Sequence, residues 1–214
     1  MQKNIKVFWF VLANNIANFK IKQIENTWWD DVTYISNVTN HKYDQTPTFK
    51  KISFYNASVK FTDFAFEGVG LLWFNQRVVD AFDGELEKYG RLCPIDCEGA
   101  PWQYYFYHVT TLVKAMDLEA VAKVDPRYQP GEPYNSISRS KFEFISENIK
   151  DLLVFKDIQQ SYCRNIYLSK RFVDILKKHK FTGVHKDTFK PIWPRPTPTT
   201  PQVGPKVDLA DLNL

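Results

Sequence analysis

The side chains able to do chemistry are few, and their spacing limits what they can do. Three cysteines, Cys93, Cys97 and Cys163, stand among the 214 residues. An odd, low count does not describe a disulfide framework. Cys93-x-x-x-Cys97 also lacks the CxxC spacing of a zinc knuckle or redox pair. Reduced thiols in a cytosolic protein are the expectation. The four histidines, His41, His108, His179 and His185, show no metal-ligand spacing. A Cys97 nucleophile with His108 as its base has no local support. The GxSxG elbow, the phosphate-binding loop, GxGxxG after a strand and HExxH are all missing from the sequence. Asp80 and Asp174 could in principle share acid–base work. Each, however, follows an arginine by three residues, Arg77 or Arg171, and an i,i+3 ion pair on a helix accounts for both. The chain is therefore expected to carry no catalytic residues, no cofactor and no metal. The most conspicuous polar–aromatic cluster is Trp28-Trp29-Asp30-Asp31. It reads either as a loop at the edge of the core or as a protein-contact patch, because Trp anchors with acidic neighbours suit interfaces. Trp28, Trp29, Asp30 and Asp31 are the candidate protein-binding residues.

The elements that must position these residues are organised by an internal pseudo-repeat. Leu72-Trp73-Phe74-Asn75-Gln76-Arg77-Val78-Val79-Asp80-Ala81-Phe82 aligns without gaps with Ile166-Tyr167-Leu168-Ser169-Lys170-Arg171-Phe172-Val173-Asp174-Ile175-Leu176. Each copy opens as a short apolar strand, then places a capping residue, Asn75 or Ser169, before an amphipathic helix. The first helix is predicted over 76–89, with Val78, Val79, Phe82 and Leu86 on one face and Gly90 ending it. The second is predicted over 170–180, ahead of a break at Gly183.

Elsewhere, 5–13 reads as a buried strand. Residues 49–54 and 59–66 alternate as strands on either side of a turn at 56–58 and suggest an antiparallel pair. Residues 92–96 read as a strand that Pro94 confines to an edge, and 102–109 as an aromatic-rich strand. A helix capped by Thr110 or Thr111 is predicted through Met116, then a strand at 121–124 and a loop over 125–140. A strand at 142–145, a helical turn from Ser146 to near Leu153, and a closing strand at 184–189 complete the body. Pro191, Pro194, Pro196, Pro198, Pro201 and Pro205 are six of the twelve prolines. They predict an extended tail over 191–214 that cannot donate to a sheet ladder. The fold class is thus α+β: one domain over 1–190, a mostly antiparallel sheet with a few short helices, and a Pro-rich tail.

Composition narrows the partners. The hydrophobic fraction of 44% and charged fraction of 24% are those of a globular protein with a sizeable core. A net charge of +4 with scattered Lys and Arg is not the concentrated basic stripe of a nucleic-acid binder. The densest cluster, Lys177-Lys178-His179-Lys180, falls at a helix end, where cations offset the macrodipole. The apolar run at 7–13 is too short for a membrane span, and no other stretch approaches the roughly 18 residues needed. The expectation is a cytoplasmic protein with no nucleic-acid or membrane partner.

Four stretches, taken in order, resemble a known family. They are Asp63-Phe64 with Gly68-Val69-Gly70-Leu71-Leu72 and Asn75-x-Arg77-x-Val79; Pro94-Ile95-Asp96 with Gly99-Ala100-Pro101-Trp102-x-Tyr104; Val109-x-x-Leu112-Val113-x-Ala115-Met116-Asp117; and Phe155 with Asn165-Ile166-Tyr167-Leu168-Ser169-x-Arg171-Phe172 and Phe181-Thr182-Gly183. Together they resemble the immunity-protein family numbered eleven of bacterial polymorphic toxin systems, over roughly 61–189. The resemblance implies a small cytosolic protein that neutralises a cognate protein toxin by stoichiometric binding, without catalytic residues. Two other functions remain open from the residues. One is an enzyme acting on a small substrate through a pocket containing Asp96, Glu98 or His108. The other is an interaction module that offers its Pro-rich tail to aromatic grooves.

Overall fold

The computed structural model describes residues 7–10, 21–24, 51–54, 61–66, 72–97, 99–125, 128, 143–160, 165–183 and 189–192. Within these the chain runs through β1 (Val7–Phe10), β2 (Ile21–Ile24), β3 (Lys51–Phe54), β4 (Phe64–Phe66), β5 (Leu72–Asn75), α1 (Gln76–Ala81) and a 3-10 turn (Leu86–Lys88). It continues through β6 (Gly90–Cys97), β7 (Tyr104–Val109), β8 (Leu112–Val113), α2 (Leu118–Val124), α3 (Ser146–Ile149), β9 (Val154–Asp157), β10 (Ile166–Ser169), α4 (Lys170–His179) and β11 (Phe189–Ile192). This is an α+β fold.

Both repeat units fold as a strand running into a side-chain-capped helix. In the first, β5 runs straight into α1, and the Asn75 side chain accepts a hydrogen bond from the Val78 N–H at 3.2 Å. In the second, β10 runs into α4, and the Ser169 hydroxyl accepts from the Phe172 N–H at 3.3 Å. Such caps satisfy a backbone donor that has no partner within the helix. Lys177, Lys178 and His179 fill the last turn of α4, and Lys180 ends it in the left-handed region at φ 50°.

The first helix is shorter than its periodicity suggests. Asp83 and Gly84 take φ of 47° and 73°, which stops α1, and the 3-10 turn follows. Val78, Phe82 and Leu86 still reach one core, so the apolar spacing is met by a helix followed by a turn. Gly90 is not a helix terminator but the first residue of β6. A Cβ there would overlap the His108 carbonyl oxygen and the Tyr107 ring.

Among the described residues the strands form two sheets, ordered β11-β1-β10-β9-β8 and β2-β3-β6-β7-β5-β4. Most pairs are antiparallel; β3–β6 and β8–β9 are parallel. The expected pairing of β3 with β4 does not occur: β3 lies between β2 and β6, and β4 lies on β5. Pro94 sits inside β6, opposite Tyr105, in a strand flanked on both sides. Among the described residues β3 meets β6 at Asp96 and Cys97, beyond the proline. The helix expected before Met116 is instead β8, and the strand expected at 121–124 belongs to α2, whose cap Asp117 accepts from the Ala120 N–H at 3.0 Å. Of the strand expected at 142–145, Phe144 makes an isolated bridge to Met116. Sequence periodicity also passed over β2 and β9. Pro191 and Ile192, expected in the Pro-rich tail, belong to β11, opposite Phe8 and Val7, in the outer strand of the described sheet. Residues beyond Ile192 lie outside the described set.

The main core joins the two repeat units. Phe74, Val78, Phe82 and Tyr107 come from the β5 side, and Val154, Leu168, Phe172 and Leu176 from the β10 side. Phe82 and Phe172, one on each unit, stand 4.7 Å apart between ring centroids. Burying each such side chain contributes roughly 1.5–3 kcal/mol. A second cluster, with Val7, Met116, Phe155 and Tyr167, covers the other face of the five-stranded sheet. No helix among the described residues is long and apolar enough to cross a membrane.

Candidate functional site

The densest polar arrangement lies where β4, the N-terminus of α1 and the turn after α4 meet. Asp63 is at its centre and is 1% exposed. Its Oδ1 accepts from the Asn75 amide at 2.7 Å and from the Arg77 guanidinium at 2.8 Å. Its Oδ2 accepts from the Thr182 N–H at 2.9 Å and the Thr182 hydroxyl at 2.8 Å. The Thr182 hydroxyl accepts in turn from the Asp63 N–H at 2.9 Å. Two backbone bonds close the joint, Phe64 N–H to the Thr182 carbonyl at 3.0 Å and Asn75 N–H to the Asp63 carbonyl at 2.9 Å. Burial raises the Asp63 pKa, but the Thr182 and Asn75 hydrogen bonds and the Arg77 charge outweigh it and hold the carboxyl below its ordinary value. Arg77 also lies over the Phe181 ring at 5.8 Å, and His179 stacks on that ring with centroids 5.4 Å apart. Gly183, at φ 85°, passes so close to β4 that a Cβ would overlap the Phe64 carbonyl oxygen. A carboxylate with every partner supplied by protein donors is a structural clamp. Its lone pairs are taken up in holding three chain segments together, and none is directed at a substrate.

The arginine–aspartate pairs expected within each helix do not form. Arg77 binds Asp63, and Asp80 accepts from the Gln76 amide at 2.7 Å. Arg171 reaches Glu85 at 3.2 Å, and Lys170 pairs with Asp174. Both arginines thus leave their own helices, one to the clamp and one across to the chain after α1. Asp80 and Asp174 are exposed on different helices, each bonded to a residue of its own helix.

The cysteine and histidine candidates are no better suited to catalysis. Burial, with the Asp96 charge, pushes the Cys97 thiol up to about 12, and burial pushes Cys93 up to about 11 against a small opposing effect of Arg91. At neutral pH neither is a thiolate, which is the nucleophilic form. His108 pairs in register with Arg91, six residues before Cys97 on the same strand, a separation of roughly 20 Å. His108 is 4% exposed, and its Nδ1 has no hydrogen-bond partner. Burial, with Lys156 and Arg91 nearby, holds its pKa down to about 3. Asp96 is exposed, on the face of β6 opposite Cys93 and Ile95. No group of three or more His, Cys, Asp or Glu among the described residues could hold a metal. Trp28, Trp29, Asp30 and Asp31, together with Glu98, His41, His185 and Cys163, lie outside the described residues.

One surface feature stands apart from the clamp. The turn from β6 to β7 carries Trp102 with 42% of its surface exposed, although the sequence placed it inside a strand. The turn around it is fixed at several points. Gly99 takes φ 75°, and the Ala100 N–H donates to the Cys97 carbonyl at 3.1 Å. The Gln103 side-chain amide donates to the Ile95 and Tyr104 carbonyls at 2.9 and 2.7 Å, and the Gln103 carbonyl accepts from the Gln76 N–H at 3.0 Å. Gly-Ala-Pro before the tryptophan marked the turn in the sequence, but not the exposure of the ring that follows it. Compared with known proteins, the chain matches no family model and no curated relative.

Proposed function

We propose that this chain is an immunity protein that binds one cognate bacterial toxin protein in the cytoplasm and neutralises it by covering its active surface. The partner class is protein; the reading assigns no nucleic-acid or membrane partner. The observation that supports it is the convergence of the motif residues. Asp63, Asn75, Arg77, Thr182 and Gly183 come from stretches up to 119 residues apart and meet in one clamp. These residues belong to the stretches whose order in the sequence resembles the immunity family named above. The resemblance is an analogy at family level, and the functional step rests on it. The state of the reactive groups agrees with a binding role: the clamp carboxylate is saturated, and the described thiols stay protonated.

The test is co-expression with the product of an adjacent toxin gene. Protection of the cells, together with a one-to-one complex on size-exclusion chromatography, is the expected result. Cells that die at the rate of the toxin alone, with no complex recovered, would overturn the reading.

A further inference from the structure

The turn that ends α1 holds the one place in the sequence where an aspartate or asparagine precedes a glycine, Asp83-Gly84. The backbone nitrogen after an aspartate can attack its side-chain carboxyl and close a five-membered ring. In a folded chain the attack is blocked by a side chain on the following residue, by a hydrogen bond from its N–H, or by a carboxylate that is buried or engaged. None of these blocks applies here. Gly84 has no side chain, and nothing lies within 4 Å of where a Cβ would stand. The flanking N–H groups are taken: Asp83 donates to the Asp80 carbonyl at 3.1 Å and Glu85 to the Phe82 carbonyl at 2.9 Å. The Gly84 N–H between them donates to no group among the described residues. Both residues are exposed, and the Asp83 carboxylate is bonded to nothing among the described residues, whereas Asp80 accepts from Gln76 and Asp174 pairs with Lys170. Asp83 also stands at φ 47°, a left-handed conformation that strains a residue bearing a Cβ.

We propose that Asp83-Gly84 is a site of spontaneous aspartate isomerisation, whose isoaspartyl product is a substrate for an S-adenosylmethionine-dependent carboxyl methyltransferase. The Gly84 nitrogen attacks the Asp83 Cγ and gives up its proton, and a carboxyl oxygen leaves as water, forming a cyclic imide. Water then opens the ring at either carbonyl. Opening at the side-chain carbonyl restores aspartate. Opening at the backbone carbonyl leaves the chain running through Cβ and Cγ, with the α-carboxylate free. One water is lost and one regained, so the mass is unchanged and no oxidant is needed. The methyltransferase moves a methyl group from the sulfonium to that α-carboxylate, releasing S-adenosylhomocysteine. The isomerised backbone is longer by one methylene just ahead of Glu85, which reaches Arg171 on α4 at 3.2 Å, and of Leu86, which is buried in the main core. The modification therefore loosens the link between the two repeat units. This inference is independent of the binding function proposed above.

The test holds the full chain in heavy-oxygen water at physiological temperature and pH, returns it to ordinary water and digests it with trypsin. Cleavage after Arg77 and Lys88 isolates residues 78–88, which carry Asp80 and Asp83 together. Each ring opening is expected to leave one heavy oxygen atom in this peptide, located at residue 83 by fragmentation, with Asp80 as the internal control. A second form of the peptide, equal in mass and different in retention, is expected to accumulate. That form alone should take a labelled methyl group from S-adenosylmethionine when purified isoaspartyl methyltransferase is added. Asp83→Glu cannot close the five-membered ring and should lose both the heavy oxygen and the methyl group. The urea-unfolded parent is run alongside, so the chemistry of the bond is separated from the effect of the fold. Label at residue 83 in the unfolded chain but not in the folded one would show that the fold holds the bond out of reach, and the proposal would fall. Label at Asp80 in place of Asp83, or at neither residue in both states, would overturn it equally.

Discussion

Asp63 and His108 are both buried and titratable, yet they act on stability in separate pH windows. His108 has its pKa held down to about 3 in the folded protein, against an ordinary value of 6.5. Between those values the unfolded chain binds a proton that the folded chain refuses, so stability falls as pH drops below 6.5. The slope inside the window is about 1.4 kcal/mol per pH unit, giving a loss of about 3 kcal/mol from pH 6.5 to pH 4. Asp63 acts in the same direction but in a lower window. Its folded pKa lies below the ordinary 3.8, so its contribution is complete above that value and disappears as pH falls through the folded pKa. The decline between pH 6.5 and 4 therefore belongs to His108, and the steeper acid limb to Asp63. Urea unfolding at half-unit pH steps separates them. His108→Phe keeps a ring to stack on Phe106, whose centroid lies 6.5 Å away, and should flatten the upper window while leaving the acid limb. An unchanged slope in that variant would assign the window to another group.

At the scale of elements, the two repeat units invite a direct comparison, because matched positions carry unequal loads. Ser169 caps α4 and is half-buried, and its replacement by Ala should cost about 1 kcal/mol. Asn75 caps α1 at 0% exposure and also donates to Asp63, so Asn75→Ala removes a cap and leaves a buried carboxylate short of a donor. About 2–3 kcal/mol is expected. Urea midpoints of the two variants check the ranking, and equal losses would mean that the clamp adds nothing to the cap. The same contrast explains what could be read from the sequence. Cap chemistry is local, so Asn75 and Ser169 and the strands before them were legible. The true partner of Arg77 lies 14 residues upstream, just before β4, and helical spacing pointed to Asp80 instead. Val121 and Val124 suggested a strand by β-branching, but the Asp117 cap and tertiary packing made a helix, since propensity is a weak prior. Likewise, β3 pairs with β6 in place of its chain neighbour β4, and no local signal encodes a non-local parallel pair. Trp102 was visible as an aromatic, but composition does not say which ring of an aromatic run faces outward.

For the whole molecule, the arrangement of core and clamp bears on how it unfolds. A chain of 214 residues is long enough that intermediates are common, and two sheets would ordinarily suggest two units. Here, however, the main core draws on both sheets, with Phe74 and Tyr107 from one and Val154 and Leu168 from the other. The clamp adds a covalently distant tie, joining Asp63 beside β4 to Thr182 after α4 across 119 residues. Opening either sheet alone would expose half of a shared core and strip the Asp63 carboxylate of its donors, so neither opening is cheap. Native-state hydrogen exchange followed by fragment should therefore show β7 and β10, which lie in different sheets, exchanging through one global opening with the same free energy and the same denaturant slope. Gly183→Ala forces a side chain into the Phe64 carbonyl and should lower that shared free energy for both strands together, by about 3 kcal/mol or more. If β10 opened at a lower free energy than β7, or if the glycine variant weakened only one sheet, the two halves would be separable, and the clamp would be a local contact without a role in coupling them.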